Sequence, residues 1–191
     1  MKFIFRCALS IAMFNIACAA HASASELEGI KLEESPQVAG KNLKLNGAGI
    51  GLRFVFKVYA ISLYLLERKS TVEEVLGTDE PRRISILMLR DVSGDEFGHA
   101  VADSLASRDE KPERLLRLTK AIAARPNGLR KGDTLTLDWV PGVGAVIELN
   151  KKPLIEPVLD KSFYNTLLNV WLGTKPADPS LKSKLLGIPS A

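Results

Sequence analysis

The residues predict an α+β fold: a large, mainly antiparallel β-sheet with a layer of α-helices packed on one face. Three observations lead there. Strand-type segments rich in β-branched and aromatic residues cluster before residue 90 and again between 133 and 150. Apolar residues at helical spacing recur between 93 and 124 and again after 160. No internal repeat, low-complexity block or long linker separates the two kinds of segment, so one domain over residues 25–191 accommodates both.

The elements follow in order. From Gly29 to Val58 the pattern is short, partly alternating and punctuated by glycine, as in Leu43, Leu45, Gly47, Gly49 and Gly51, which predicts strands and tight turns. Arg53 to Leu66 carries the strongest strand signal and is long enough for two consecutive strands or one bent strand. Apolar residues occupy both parities of it, so both faces are expected to be covered. Thr71-Val-Glu-Glu74 reads as a capping box opening a short helix, and Arg83 to Leu89 as a further buried strand.

A second capping box, Ser93-Gly-Asp-Glu96, precedes Phe97, Ala100, Val101 and Leu105, which share one helical face. The next helix has Pro112 in its first turn, Leu115, Leu116, Leu118 and Ile122 on its buried side, and Pro126-Asn127-Gly128 at its end. Asp133 to Val140 and Val146 to Asn150 form a hairpin around Pro141-Gly-Val-Gly144. Phe163, Leu167, Leu168, Trp171 and Leu172 make an apolar helical stripe closed by Gly173, and Asp178-Pro179 starts a last helix carrying Leu181, Leu185 and Leu186.

Residues 1–24 read as a cleaved signal peptide. Lys2 and Arg6 lead into an apolar run from Cys7 to Cys18, followed by the small-residue exit Ala22-Ser23-Ala24. The expected location is periplasmic or secreted, after cleavage near Ala24. An uncleaved anchor is disfavoured by the short run, and lipidation at Cys18 by Asn15-Ile16-Ala17, which lacks the leucine-like residue three places upstream.

The full chain of 191 residues carries a net charge of +4. Without the two basic residues of the leader the charge is +2, which points to no particular partner. Both cysteines lie in the leader, so residues 25–191 contain no disulfide, thiolate metal site or cysteine nucleophile. No later stretch reaches the roughly 18–20 apolar residues of a membrane span.

Chemistry is further limited by a single histidine in residues 25–191, His99. A Ser-His-Asp hydrolase would have to use it, yet it stands on the polar side of a predicted helix near Glu96 and Asp103, and no G-x-S-x-G elbow is present. A solvated surface histidine is the simpler reading. Gly47-Ala48-Gly49-Ile50-Gly51 is not followed by a strand-loop-helix unit or by Gly-Lys-Ser/Thr, so turn glycines explain it better than a phosphate loop. Arg114, Arg117, Lys120, Arg125, Arg130 and Lys131 are interrupted by Glu110 and Glu113 and carry no interleaved aromatics, which favours a solvated helix face over a surface for anionic lipid or nucleic acid.

Arg53 stands apart, because it lies in the most apolar stretch of the chain and a guanidinium is rarely buried unless something anionic satisfies it. With Tyr59 and Tyr64 nearby, one reading pairs it with a carboxylate or phenolate ligand at the bottom of an apolar cleft. The other gives it an internal Asp or Glu partner, or a path to water at the sheet edge. Sequence leaves both open.

Leu45-Asn-Gly-Ala-Gly49, Phe56 to Leu65, Leu89-Arg-Asp-Val-Ser-Gly94, Trp171-Leu-Gly-Thr-Lys-Pro176 and Leu181 to Gly187 together resemble the bacterial chalcone isomerase-like proteins. The likeness runs from about Gly40 to Gly187 and implies the chalcone isomerase fold, with a cleft between sheet and helices. Plant enzymes of that fold close a flavonoid ring without a cofactor, using an arginine for the substrate phenolate and hydroxyls that position a water; related non-catalytic members bind fatty acids. The resemblance makes Arg53 the candidate arginine, although the spacing toward Lys57 is shorter than in the plant enzymes. It also places the expected strand threonine at Tyr59 and the late-helix threonine at Val170, ahead of Trp171, and finds no tyrosine between Pro112 and Ala124.

With those hydroxyls replaced, ring closure lacks acid-base help. The expectation is an exported, non-catalytic protein binding a fatty acid or similar amphipathic anion, with Arg53, Tyr59, Val170 and Trp171 as ligand-binding residues and no cofactor or metal. Two alternatives accompany it: a cofactor-free isomerase acting through Arg53, and an interaction protein whose cleft is collapsed by Tyr59 and Trp171.

Overall fold

A computed structural model describes residues 26–99, 113–176 and 178–188. Residues 1–24, where a leader is expected, and Ala100, Val101, Asp103, Leu105, Pro112 and the side chain of Arg114 lie outside the described residues.

Two short hairpins open the described chain, β1 (Glu26–Leu27) with β2 (Ile30–Lys31) and β3 (Gln37–Val38) with β4 (Lys41–Asn42). The main sheet then runs as an antiparallel meander of β5 (Lys44–Arg53), β6 (Phe56–Leu65), β7 (Arg82–Met88), β8 (Thr134–Val140), β9 (Gly144–Leu149) and β10 (Lys152–Pro153), each strand beside its sequence neighbour. Helix α1 (Val72–Gly77) links β6 to β7, and α2 (helical over 94–99) and α3 (Glu113–Ala123) lie between β7 and β8. Helices α4 (Lys161–Leu172) and α5 (Pro179–Leu185) follow the sheet.

Strand alternation divides the sheet into an apolar and a polar face. Rungs such as Leu63, Ile84, Leu137 and Ile147, or Ile61, Ile86, Leu135 and Leu149, face the helices and form the core with Leu118, Ile122, Tyr164 and Leu168. The opposite parity is polar in the middle strands: Ser62, Ser85, Thr136 and Glu148 share one rung. Val38, Leu43 and Tyr64 form a second small cluster on that side, so β6 is covered on both faces as its apolar parities predict. Tyr64 therefore lies across the sheet from Tyr59.

Neighbouring arginines show the same division. Arg82 is fully buried, and its Nη1 donates to the carbonyls of Val75 (2.6 Å) and Thr78 (2.7 Å) at the end of α1, with Tyr164 stacked 5.1 Å from the guanidinium. Arg83, one residue on, points to the polar face and grips Asp138 with both Nε (2.7 Å) and Nη2 (2.6 Å).

The expected caps form. Thr71 and Glu74 make the reciprocal capping box and Asp178 caps α5 with Pro179 in its first turn, while Asp160, not singled out in the sequence, caps α4. The glycine-rich segment departs from expectation: Gly47, Gly49 and Gly51 lie inside β5 rather than in turns. A Cβ on Gly47 would stand 2.0 Å from the Lys184 carbonyl oxygen, and one on Gly49 would stand 2.5 Å from Leu181 Cδ2. Missing side chains here let α5 lie directly on the strand.

Candidate ligand cavity

The apolar face of the sheet and the helices enclose a cavity of about 590 Å³ at one end of the sheet. Tyr59, Ile86, Met88, Leu135 and Leu137 form its floor, and Leu115 and Leu118 of α3 close it from above. Leu167, Val170 and Trp171 make its side wall, since residues three and four apart share a face of α4. Its polar side-chain groups are the Tyr59 hydroxyl, the Trp171 indole N–H, and Arg53, Arg90, Glu96 and Lys175 at the rim.

A bulge aims Tyr59. In the β5–β6 pairing Gly51 opposes Tyr59 and Leu52 opposes Lys57, which leaves Val58 without an opposite partner. The extra residue lets adjacent side chains, Val58 and Tyr59, both line the cavity. Gly51 makes the room: a Cβ there would fall 2.2 Å from the Tyr59 ring. The phenol accepts a hydrogen bond from Trp171 Nε1 at 3.0 Å, and the two rings meet edge to face at 6.5 Å and 78°. Burial pushes the Tyr59 hydroxyl above its ordinary value of 10.0 against the opposing Trp171 hydrogen bond, so it is a neutral phenol.

Arg53 closes β5 immediately before a two-residue turn at 54 and 55, so the segment from Arg53 to Leu66, read as two strands or one bent strand, is the turn and second arm of a tight hairpin whose first arm is β5. Its side chain is 54% exposed at the cavity mouth, 3.6 Å from the Glu96 carboxylate. It is not at the bottom of the cleft; the ion pair and the path to water left open by sequence are both realised. Arg90, just after β7, is the more enclosed cation and holds Glu96 with both terminal nitrogens, at 2.5 and 3.3 Å. The Arg90 hydrogen bond is the main reason the Glu96 carboxyl sits below its ordinary value of 4.5.

All four residues singled out from sequence, Arg53, Tyr59, Val170 and Trp171, thus line one cavity. Tyr59 and Trp171 do not plug it, because their edge-to-face contact leaves the adjoining space open. Arg90, Lys175 and the carboxylate role of Glu96 escaped the sequence reading. Glu96 is legible as a capping-box residue, and its N–H does donate to Ser93 Oγ at 3.1 Å, but its partners on β5 and after β7 come together only through the sheet. His99 is exposed. Chemically, the enclosure offers an apolar volume ending in a neutral phenol and a rim where two guanidiniums surround one carboxylate. Among the described residues no helix is long and apolar enough to cross a membrane.

A family model described as chalcone isomerase-like matches residues 24–187. Among solved structures the chain is similar to a fatty-acid binding protein of Arabidopsis thaliana, at 16% identity and a TM-score of 0.60, over 83% of this chain and 92% of that one. At that identity the likeness speaks for the fold alone. No curated protein matches.

Proposed function

Because the chain belongs to the chalcone isomerase-like family, we propose that it is an exported binding protein whose cavity holds a fatty acid or a similar amphipathic anion. One observation carries this reading: an apolar cavity of about 590 Å³, within the size range of small-molecule sites, ends at a rim where Arg53 and Arg90 already clasp the Glu96 carboxylate. The position of Glu96 marks where a ligand carboxylate fits, by joining or displacing it. The fatty-acid binding activity of the Arabidopsis protein on the same fold adds support. Export rests on the leader, with the processed chain periplasmic or secreted after cleavage near Ala24.

Native mass spectrometry of the purified protein, with extraction of any co-purifying molecule and titration with fatty acids, tests the proposal. A stoichiometric amphipathic acid is expected. Val170→Phe, which enlarges a wall residue into the cavity, should weaken binding at least tenfold with an unchanged circular dichroism spectrum. Arg53→Ala removes a half-exposed charge partner and should weaken binding about fivefold to tenfold. A protein that stays empty under fatty-acid challenge would refute the reading, and chalcone turnover lost in Arg53→Ala would replace it with the isomerase.

A further inference from the structure

The β5–β6 hairpin ends in an apolar tip that the rest of the chain leaves uncovered. Leu52 is 52% exposed, Phe54 89%, Val55 83% and Phe56 66%. Phe54, the first turn residue, has φ 57° whereas Val55 has no positive φ, a pattern that favours glycine at the first position of a two-residue hairpin. A Gly-Asn turn would relieve the strain and remove the exposed apolar surface together. Neither local geometry nor internal packing therefore accounts for Phe54 and Val55.

Cations outnumber their carboxylate partners beside this tip. Arg53 and Arg90 share the Glu96 carboxylate, Lys57 pairs with Glu28, on which Lys184 also acts, and Lys175 stands on the same rim. The tip is also the lip of the cavity, since Leu52 and Arg53 belong to its lining.

We propose that the hairpin tip is a membrane-docking element, in which Phe54, Val55 and Phe56 enter the interface of a bilayer carrying anionic headgroups while Arg53 and Lys57 stay at headgroup level. Shape and size favour a lipid surface over a protein. The tip is convex, and its four side chains, at most about 150–250 Å² for each aromatic, fall short of the roughly 800 Å² per partner that a stable dimer buries. Aromatic residues beside cations match the chemistry of a membrane interface. Docking would turn the cavity mouth to the lipid, where single-chain amphipathic acids reside. That supply route rests on the binding reading above; the docking itself does not.

The test is flotation of the full chain with vesicles of phosphatidylcholine mixed with phosphatidylglycerol, comparing wild type with Phe54→Gly/Val55→Asn. Both proteins carry the same N-terminal segment, so their difference reports on the tip alone. Wild type should float with the vesicles and the double variant should partition at least tenfold more weakly, with an unchanged circular dichroism spectrum and unchanged fatty-acid affinity in lipid-free solution. Equal partitioning, or a wild type that stays in solution, would overturn the proposal. So would a dimer seen by sedimentation and lost in the variant, which would assign the tip to a second copy of the chain. Failed fatty-acid binding with tip-dependent flotation would reject the cavity reading and leave the docking standing.

Discussion

Tyr59 and Trp171 stand 112 residues apart in sequence and meet in one hydrogen bond across the cavity wall. Tyr59→Phe keeps the ring and removes the acceptor, leaving the indole N–H of a largely buried Trp171 without a partner; about 1 kcal/mol of stability should be lost in urea unfolding. Glu96 has the opposite character, because its carboxylate occupies the guanidiniums that a ligand acid would use. Glu96→Gln should tighten fatty-acid binding severalfold at neutral pH, read by calorimetry, and weaker binding would place the ligand carboxylate elsewhere. Of these groups, Arg53 and Tyr59 are legible in sequence as polar residues in an apolar run. Arg90 is not, since one arginine after a strand has no distinguishing pattern until Glu96 is folded against it.

Helix α5 is held to β5 by what the strand lacks and by a bulge within it. Leu45 opposes Tyr64 and Gly47 opposes Leu63, so Asn46 is the extra residue, free to use its side chain. Its Nδ2 donates to the carbonyls of Leu185 (2.7 Å) and Lys69 (3.0 Å), and its Oδ1 accepts from the Lys69 N–H (2.8 Å). One buried amide thus ties the end of α5 and the loop after β6 to the sheet. Asn46→Ala should cost about 2–4 kcal/mol in denaturant unfolding, because it leaves buried backbone groups unsatisfied. Gly47→Ala should be similarly damaging for a different reason, the approach of the Lys184 carbonyl. Helix starts were legible because capping is local chemistry. Gly47 and Gly49 read as turn residues in sequence because their cause is a helix more than 130 residues away, and Gly51 because its cause, the Tyr59 ring, depends on the strand pairing.

Across the whole molecule, carboxylates set the response to pH. Glu28, Glu74 and Glu96 sit below their ordinary 4.5, held mainly by hydrogen bonds from Lys57, Thr71 and Arg90 respectively. Burial pushes Asp133 up, but hydrogen bonds from the Arg130 backbone and Asn150 bring it below 3.8. These four release protons more readily when folded, so their stabilisation is present above the unfolded values and is lost as pH falls through the folded ones. Asp138 opposes them: burial raises it despite Arg83, so its contribution declines as pH rises past 3.8. With four groups against one among the described residues, the urea midpoint should be lower near about pH 3 than near about pH 6. A midpoint flat across that range would mean the Asp138 contribution balances the other four.

The sequence by itself determined the fold class, the order of strands and helices, the helix caps and the family. Each of these depends on spacing of apolar residues or on contacts within a few positions, which survive in one dimension. Only the tertiary structure decided that Arg53 sits at the mouth rather than the bottom, that Tyr64 lies on the far face from Tyr59, and that Arg90 and Glu96 complete the rim. Those outcomes depend on one-residue bulges and on strand pairing. A single inserted residue changes which side chains share a face, and the hydrophobic pattern of one strand does not record which residues its neighbours bring opposite.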